Sequence, residues 1–197
     1  MRLATTVLAG AFAATLSAAG TTPAPLSLAS ARVSLDGTSN IHAFTASTTE
    51  VRVTAIDING TPTGDLLDYM LQPGGLKAFE IVIPAASLSS PKDGIDKNMH
   101  KALKVEEYPD IRFKLRTLEP TAGAYRAIGL LTIAGVEKEV TLTLQIERKG
   151  ATLAVTGGTE LLMTDYGVKP PKAMLGMLRT NPKVQIRIEL VLGASLT

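Results

Sequence analysis

The chain has 197 residues, no cysteine and no tryptophan, and its twenty lysines and arginines nearly balance eighteen aspartates and glutamates. That length suits one domain with a real core. The missing cysteine excludes thiol catalysis, thiolate metal sites and a lipid-modified N-terminal cysteine, and the balanced charge, with no dense basic run, excludes the field that nucleic acid or an anionic membrane calls for.

The first residues have the pattern of an export signal. Arg2 supplies a positive start, Leu3 to Leu16 is an alanine-rich run without charge, and Ser17-Ala18-Ala19 is a small-x-small cleavage pattern. Thr22-Pro23-Ala24 is a second candidate. The run is too short and too poor in large apolar residues to span a membrane well, and no other uncharged run approaches spanning length. The expected organisation is a signal peptide over 1–19, a Pro/Ser/Thr tether over 20–30 and one exported domain over 31–197, with no integral membrane segment in the mature chain.

Period-two alternation, the mark of half-buried strands, then dominates. Strands are expected over Ala31–Leu35, Ile41–Thr48, Val51–Ile58 and Ala78–Ile83. In DIRFKLRTL, Ile111, Phe113 and Leu115 oppose Arg112, Lys114 and Arg116. Tyr125–Ile133 follows; EVTLTLQIE sets Val140, Leu142, Leu144 and Ile146 against polar neighbours; Thr152–Leu162 and VQIRIELVL complete the series. Asp36-Gly37, Asn59-Gly60, Ala122-Gly123 and Lys149-Gly150 are candidate tight turns. One segment breaks the pattern: good helix formers run from Asp96 to Glu107, Ile95, Met99, Ala102 and Leu103 recur at helical spacing, Asp96 is a candidate N-cap, and Pro109 ends the run. The fold class expected is all-β, an antiparallel barrel of about eight strands with one short helix near a barrel end. A membrane barrel would want aromatic girdles at both interfaces, and this chain has only four Phe and four Tyr.

Four segments stand in a recognisable order: LDGTSNIHAFTAST (35–48), GIDKNMHKALKVEEYPDIRFKL (94–115), GLLTIAGVEKEVTLTL (129–144) and MTDYGVKPPKAMLGMLRTNPKVQIRIEL (163–190). Together they resemble the YceI-like family, in the subgroup whose first motif runs Gly-Thr-Ser-x-x-His. The resemblance implies a lipocalin-like barrel exported to the periplasm, a polyisoprenoid or isoprenoid quinone as partner, no enzymatic activity and no cofactor. The chain departs from the subgroup at Phe44, where Trp is common, and over 61–75, which does not follow the pattern.

Each candidate site residue has two readings. His42, sharing a face with Phe44, is either a polar anchor for a ligand head group or a histidine stitching two strands. His100, among Lys97, Lys101 and Lys104, reads as surface. Two histidines with no spaced carboxylates give no metal site. Without a Gly-x-Ser-x-Gly elbow, Ser39 near His42 is the only hint of a hydrolase. Met163, Met174, Leu175 and Leu178, beside Pro170-Pro171, are either a lid over a ligand channel or a plug for the barrel end. Met99 and Leu103 on the helix, and Phe79 and Phe113 on the inward strand rows, are either cavity wall or packed core. An apolar cavity would need no polar motif, since each buried methylene contributes about 0.8 kcal/mol.

Overall fold

The computed structural model describes residues 26–91, 94–173 and 177–194. The expected signal peptide therefore lies outside the described residues, as do Met174 and Leu175, two of the expected lid residues. Among the described residues, ten strands and two α-helices follow in chain order: β1 (Leu26–Ser39), β2 (Ala43–Thr48), β3 (Arg52–Ile58), α1 (Leu66–Met70), β4 (Leu76–Pro84), α2 (Ile95–Leu103), β5 (Asp110–Thr121), β6 (Ala124–Ile133), β7 (Val136–Lys149), β8 (Thr152–Leu162), β9 (Lys172–Ala173) and β10 (Leu178–Ala194).

Nine strands form one antiparallel sheet curled into a half-barrel, in the order β2-β1-β10-β8-β7-β6-β5-β4-β3, with the two-residue β9 attached to β10. The nine strands agree with the expected barrel of about eight, and β1 starts at Leu26, inside the expected tether, because Leu26 and Leu28 continue the inward alternation of the strand. The seam between the terminal strands is covered by the segment after β4. Ser47 and Ser89 exchange backbone hydrogen bonds of 2.8 and 3.1 Å, and the buried Thr48 hydroxyl meets the Ser87 hydroxyl at 2.8 Å. This single bridge occupies the β2 edge at Ser47.

Alternation predicts the inward rows well. Val140, Leu142 and Leu144 of β7, and Val184, Leu190 and Leu192 of β10, are buried. In β5 a register shift between Leu115 and Thr117 inserts one extra residue, so Leu118 rather than Thr117 continues the row of Ile111, Phe113 and Leu115.

Gly37, expected in a turn, sits inside β1 opposite Phe44 of β2. An added Cβ there would lie 2.3 Å from the Phe44 ring, so the glycine is needed for close approach and not for chain reversal. The helix is shorter than expected. Lys104, at φ 53°, ends α2 after Leu103, so Glu107 lies beyond it and Pro109 plays no part in stopping it. Gly94, not Asp96, is the N-cap; the Asp96 carboxylate instead accepts a 2.7 Å bond from the Ser90 N–H. The unpatterned stretch 61–75 contains a helix, α1, that alternation could not reveal because it is only five residues long.

Candidate functional site

α2 and the turn between β1 and β2 stand at one end of the half-barrel, around a cavity of about 380 Å³. The turn is built by side chains that pair with backbone. The Ser39 hydroxyl accepts from the Ile41 and His42 N–H groups at 3.3 and 3.1 Å and donates to the His42 carbonyl at 2.9 Å. Asn40 ties the turn to the start of β10: its side chain donates to the Met177 carbonyl and accepts from the Arg179 N–H, both at 2.8 Å. His42 is thereby held at the rim, exposed, and the tip of the Phe44 ring lies over Gly37 behind it. On the facing side α2 is pinned by Asp96 and by His100, whose Nε2 lies 2.8 Å from the Leu88 carbonyl. His100 is therefore a half-buried structural residue, not the surface group its lysine neighbours suggested. These anchors direct Met99 and Leu103, both buried, into the barrel.

Below this mouth the interior narrows but stays apolar. A space of about 100 Å³ shares Leu35, Leu103, Ile133, Leu161 and Ile186 with the mouth cavity. A third, of about 80 Å³, shares Ile81, Phe113, Leu142 and Ile188 with the second. Those four side chains form a waist. Phe113 reaches across it because Gly129 on β6 has no side chain; an added Cβ would stand 2.5 Å from the Phe113 ring and 2.6 Å from the Lys114 carbonyl oxygen. Among the described residues, no Lys, Arg, Asp or Glu lines any of the three spaces.

α1 closes the opposite end. The Asp65 side chain caps it, accepting from the Leu67 and Asp68 N–H groups at 2.9 and 3.2 Å, and Arg148 of β7 pairs with Asp65 at 2.7 Å and Asp68 at 2.8 Å. The Arg148 guanidinium, with help from the Asp68 N–H, holds the Asp65 carboxyl below its ordinary range. Leu67 and Met70, at 2 and 1 % exposure, are driven into the barrel as a stopper.

The expected site residues divide between these regions. His42, Phe44, Met99, Leu103 and Met163 line the mouth cavity. Phe113 lies at the waist, and Phe79 lines only the innermost space. Leu178 begins β10, and Pro171 reaches the mouth, so the proline segment borders the opening. Sequence reasoning missed Tyr166, Val168 and Thr180 in the mouth wall. Tyr166 ends a 3-10 turn at Met163–Tyr166, where strand alternation stops and offers no signal. Its burial, and then the charge of Asp165, push its phenol up to about 12. His42 and Ser39 do not form a nucleophile pair, because the serine hydroxyl is occupied by the turn's own backbone. Among the described residues, no three histidine or acidic side chains cluster to hold a metal, and no helix is long and apolar enough to cross a membrane.

The model of the YceI-like domain matches residues 26–192. Solved structures share the fold, three among them as follows. BcnA of Burkholderia cenocepacia superposes with a TM-score of 0.65 at 16% identity, over 82% of this chain and 95% of that one. A polyisoprenoid-binding domain from Saccharophagus degradans, implicated in plant cell wall breakdown, gives 0.62 at 13% identity, over 87% and 99%. The YCEI protein of Campylobacter jejuni gives 0.59 at 17% identity, over 81% and 85%. No curated protein matches the sequence.

Proposed function

The chain belongs to the YceI-like family, and from that premise we propose that it binds an isoprenoid-type lipid, a polyisoprenoid or an isoprenoid quinone, as a periplasmic carrier, store or protector. The observation that carries the reading is the mouth cavity of about 380 Å³, opening on apolar wall and continued inward by two narrower apolar spaces. Its volume lies within the range of about 300–1,000 Å³ common to small-molecule sites. A flexible prenyl chain suits such a wall, since every methylene withdrawn from water contributes about 0.8 kcal/mol without any directional contact. Binding, not catalysis, is the chemistry this wall supports. Residence in the periplasm rests on the charge and apolar pattern of residues 1–19.

The test is organic extraction and mass spectrometry of the protein from its native periplasm, beside an Ala102→Trp variant. Ala102 lines the mouth, so an indole there fills the cavity. A stoichiometric prenyl lipid in the wild type that is lost in the variant, with both proteins folded, is the expected result. A lipid-free wild type that also takes up no prenyl lipid on reconstitution would overturn the reading.

A further inference from the structure

The three apolar spaces differ in how they meet. The mouth cavity of about 380 Å³ and the second space of about 100 Å³ join through aliphatic side chains of β1, α2, β6, β8 and β10. The second space and the innermost one, of about 80 Å³, meet at the waist, where Ile81, Phe113, Leu142 and Ile188 come from four strands, β4, β5, β7 and β10. Phe113 is the aromatic member of that ring of side chains. It is buried, and the tip of its ring lies against the bare backbone of Gly129. An aliphatic side chain changes shape by switching rotamers, whereas an aromatic ring swings as one rigid plane, and a close-packed interior resists the swing. The innermost space therefore lies between two barriers, Phe113 on the side of the mouth and the α1 stopper, with Met70 in its wall, on the other.

The volumes translate into lengths. A closed apolar cavity of about 150 Å³ accommodates benzene, a molecule of six carbons. On that scale the second space takes about one five-carbon isoprene unit and the mouth about three. We infer that Phe113 is the specificity-determining residue for tail length: the site takes a prenyl tail of about four isoprene units, and the further units of a longer tail stay outside in water. This rests on the isoprenoid-lipid reading above and selects within it, for a short prenyl chain over a long polyprenyl one. The innermost space has room for about one unit more, so opening the waist would lengthen the accepted tail by about that much and no further.

The experiment titrates prenyl alcohols of two, three, four, five and eight isoprene units, all in one dilute detergent, by displacement of an apolar fluorescent dye. The head group is constant, so tail length is the only variable. In the wild type each unit up to the fourth should tighten binding about tenfold or more, because it leaves water, and later units should add less than about threefold. In Phe113→Leu the break should move to the fifth unit, raising the ratio of five-unit to two-unit affinity about tenfold, with no further gain at eight units. Ile188→Ala opens the same waist from β10, should move the break in the same direction, and carries the test if Phe113→Leu does not fold. Affinity that keeps rising to the eight-unit alcohol in the wild type would overturn the inference. So would a break that stays in place in a folded waist variant, or an equal loss of affinity at every length, which would make Phe113 a packing residue only. In those cases the alcohols still bind and the isoprenoid-lipid reading stands without its ceiling. If no alcohol displaces the dye from the wild type, the ceiling and that reading fail together.

Discussion

The two ends of this half-barrel are made from the same apolar residue types and do opposite things. At one end α1 drives Leu67 and Met70 inward until the remaining space is about 80 Å³. At the other, α2 presents Met99 and Leu103 to a space of about 380 Å³. The difference lies in how each helix is held. α1 is capped by Asp65 and clamped to β7 by Arg148, which draws the helix over the barrel end. α2 is instead fixed at its first turn and at His100 to the segment covering the sheet seam, so it stands beside the opening as a wall. A helix that anchors to the strand facing it becomes a stopper, and one that anchors to its own flank leaves room.

The contrast can be broken most strongly at the stopper. Met70→Ala should cost about 2–5 kcal/mol of unfolding free energy in urea titration, the range for a large-to-small change in a closed core, with little change in ligand affinity at the mouth. At the waist, Gly129→Ala places a methyl against the Phe113 ring and the Lys114 carbonyl. A stability loss of about 1–3 kcal/mol is expected, with poorer uptake of long prenyl chains than of short ones in lipid-loading assays. Met99→Ala at the mouth should destabilise less than Met70→Ala, because one side of Met99 already faces open space. It should lower lipid affinity several-fold in dye displacement.

The smallest effect is a pH dependence at the closed end. The folded protein holds the Asp65 carboxyl below its ordinary value of 3.8. Its contribution to stability is therefore complete well above that value and is lost as pH falls through it towards the lowered one. Asp65→Asn should flatten that acid limb, seen as a smaller fall in urea midpoint between about pH 6 and about pH 3, and should leave the mouth's affinity for lipid unchanged.

The antiparallel sheet was legible in the chain because an exposed strand face and a buried one impose alternation directly on the residue order. Leu142 and Leu144, or Ile186 and Ile188, could be placed inward from spacing alone. Spacing likewise paired Met99 with Leu103 on α2 and His42 with Phe44, whereas Met163 stood out only as one of the methionines around the Pro-Pro loop. The limits of α2 were less legible, since they depend on a left-handed Lys104 and on a Gly94 cap rather than on the proline downstream. His100 read as surface because its partner, the Leu88 carbonyl, is a backbone atom with no signature in the sequence. α1 escaped notice because five residues are too few to show a helical period.

What the sequence determined by itself is therefore the all-β class, the inward rows and the family, all of which follow from local periodicity and ordered motifs. Whether those inward rows enclose space or fill it was decided by tertiary structure. The same leucines and isoleucines line a cavity or pack a core according to how far apart the curled sheet and its two helices are held. That separation is set by long-range contacts such as Arg148 with Asp65, His100 with Leu88, and Asn40 with Met177 and Arg179. The waist at Phe113 belongs to the same level, because a constriction is a property of side chains brought together from four strands and leaves no mark on the chain neighbours of any one of them.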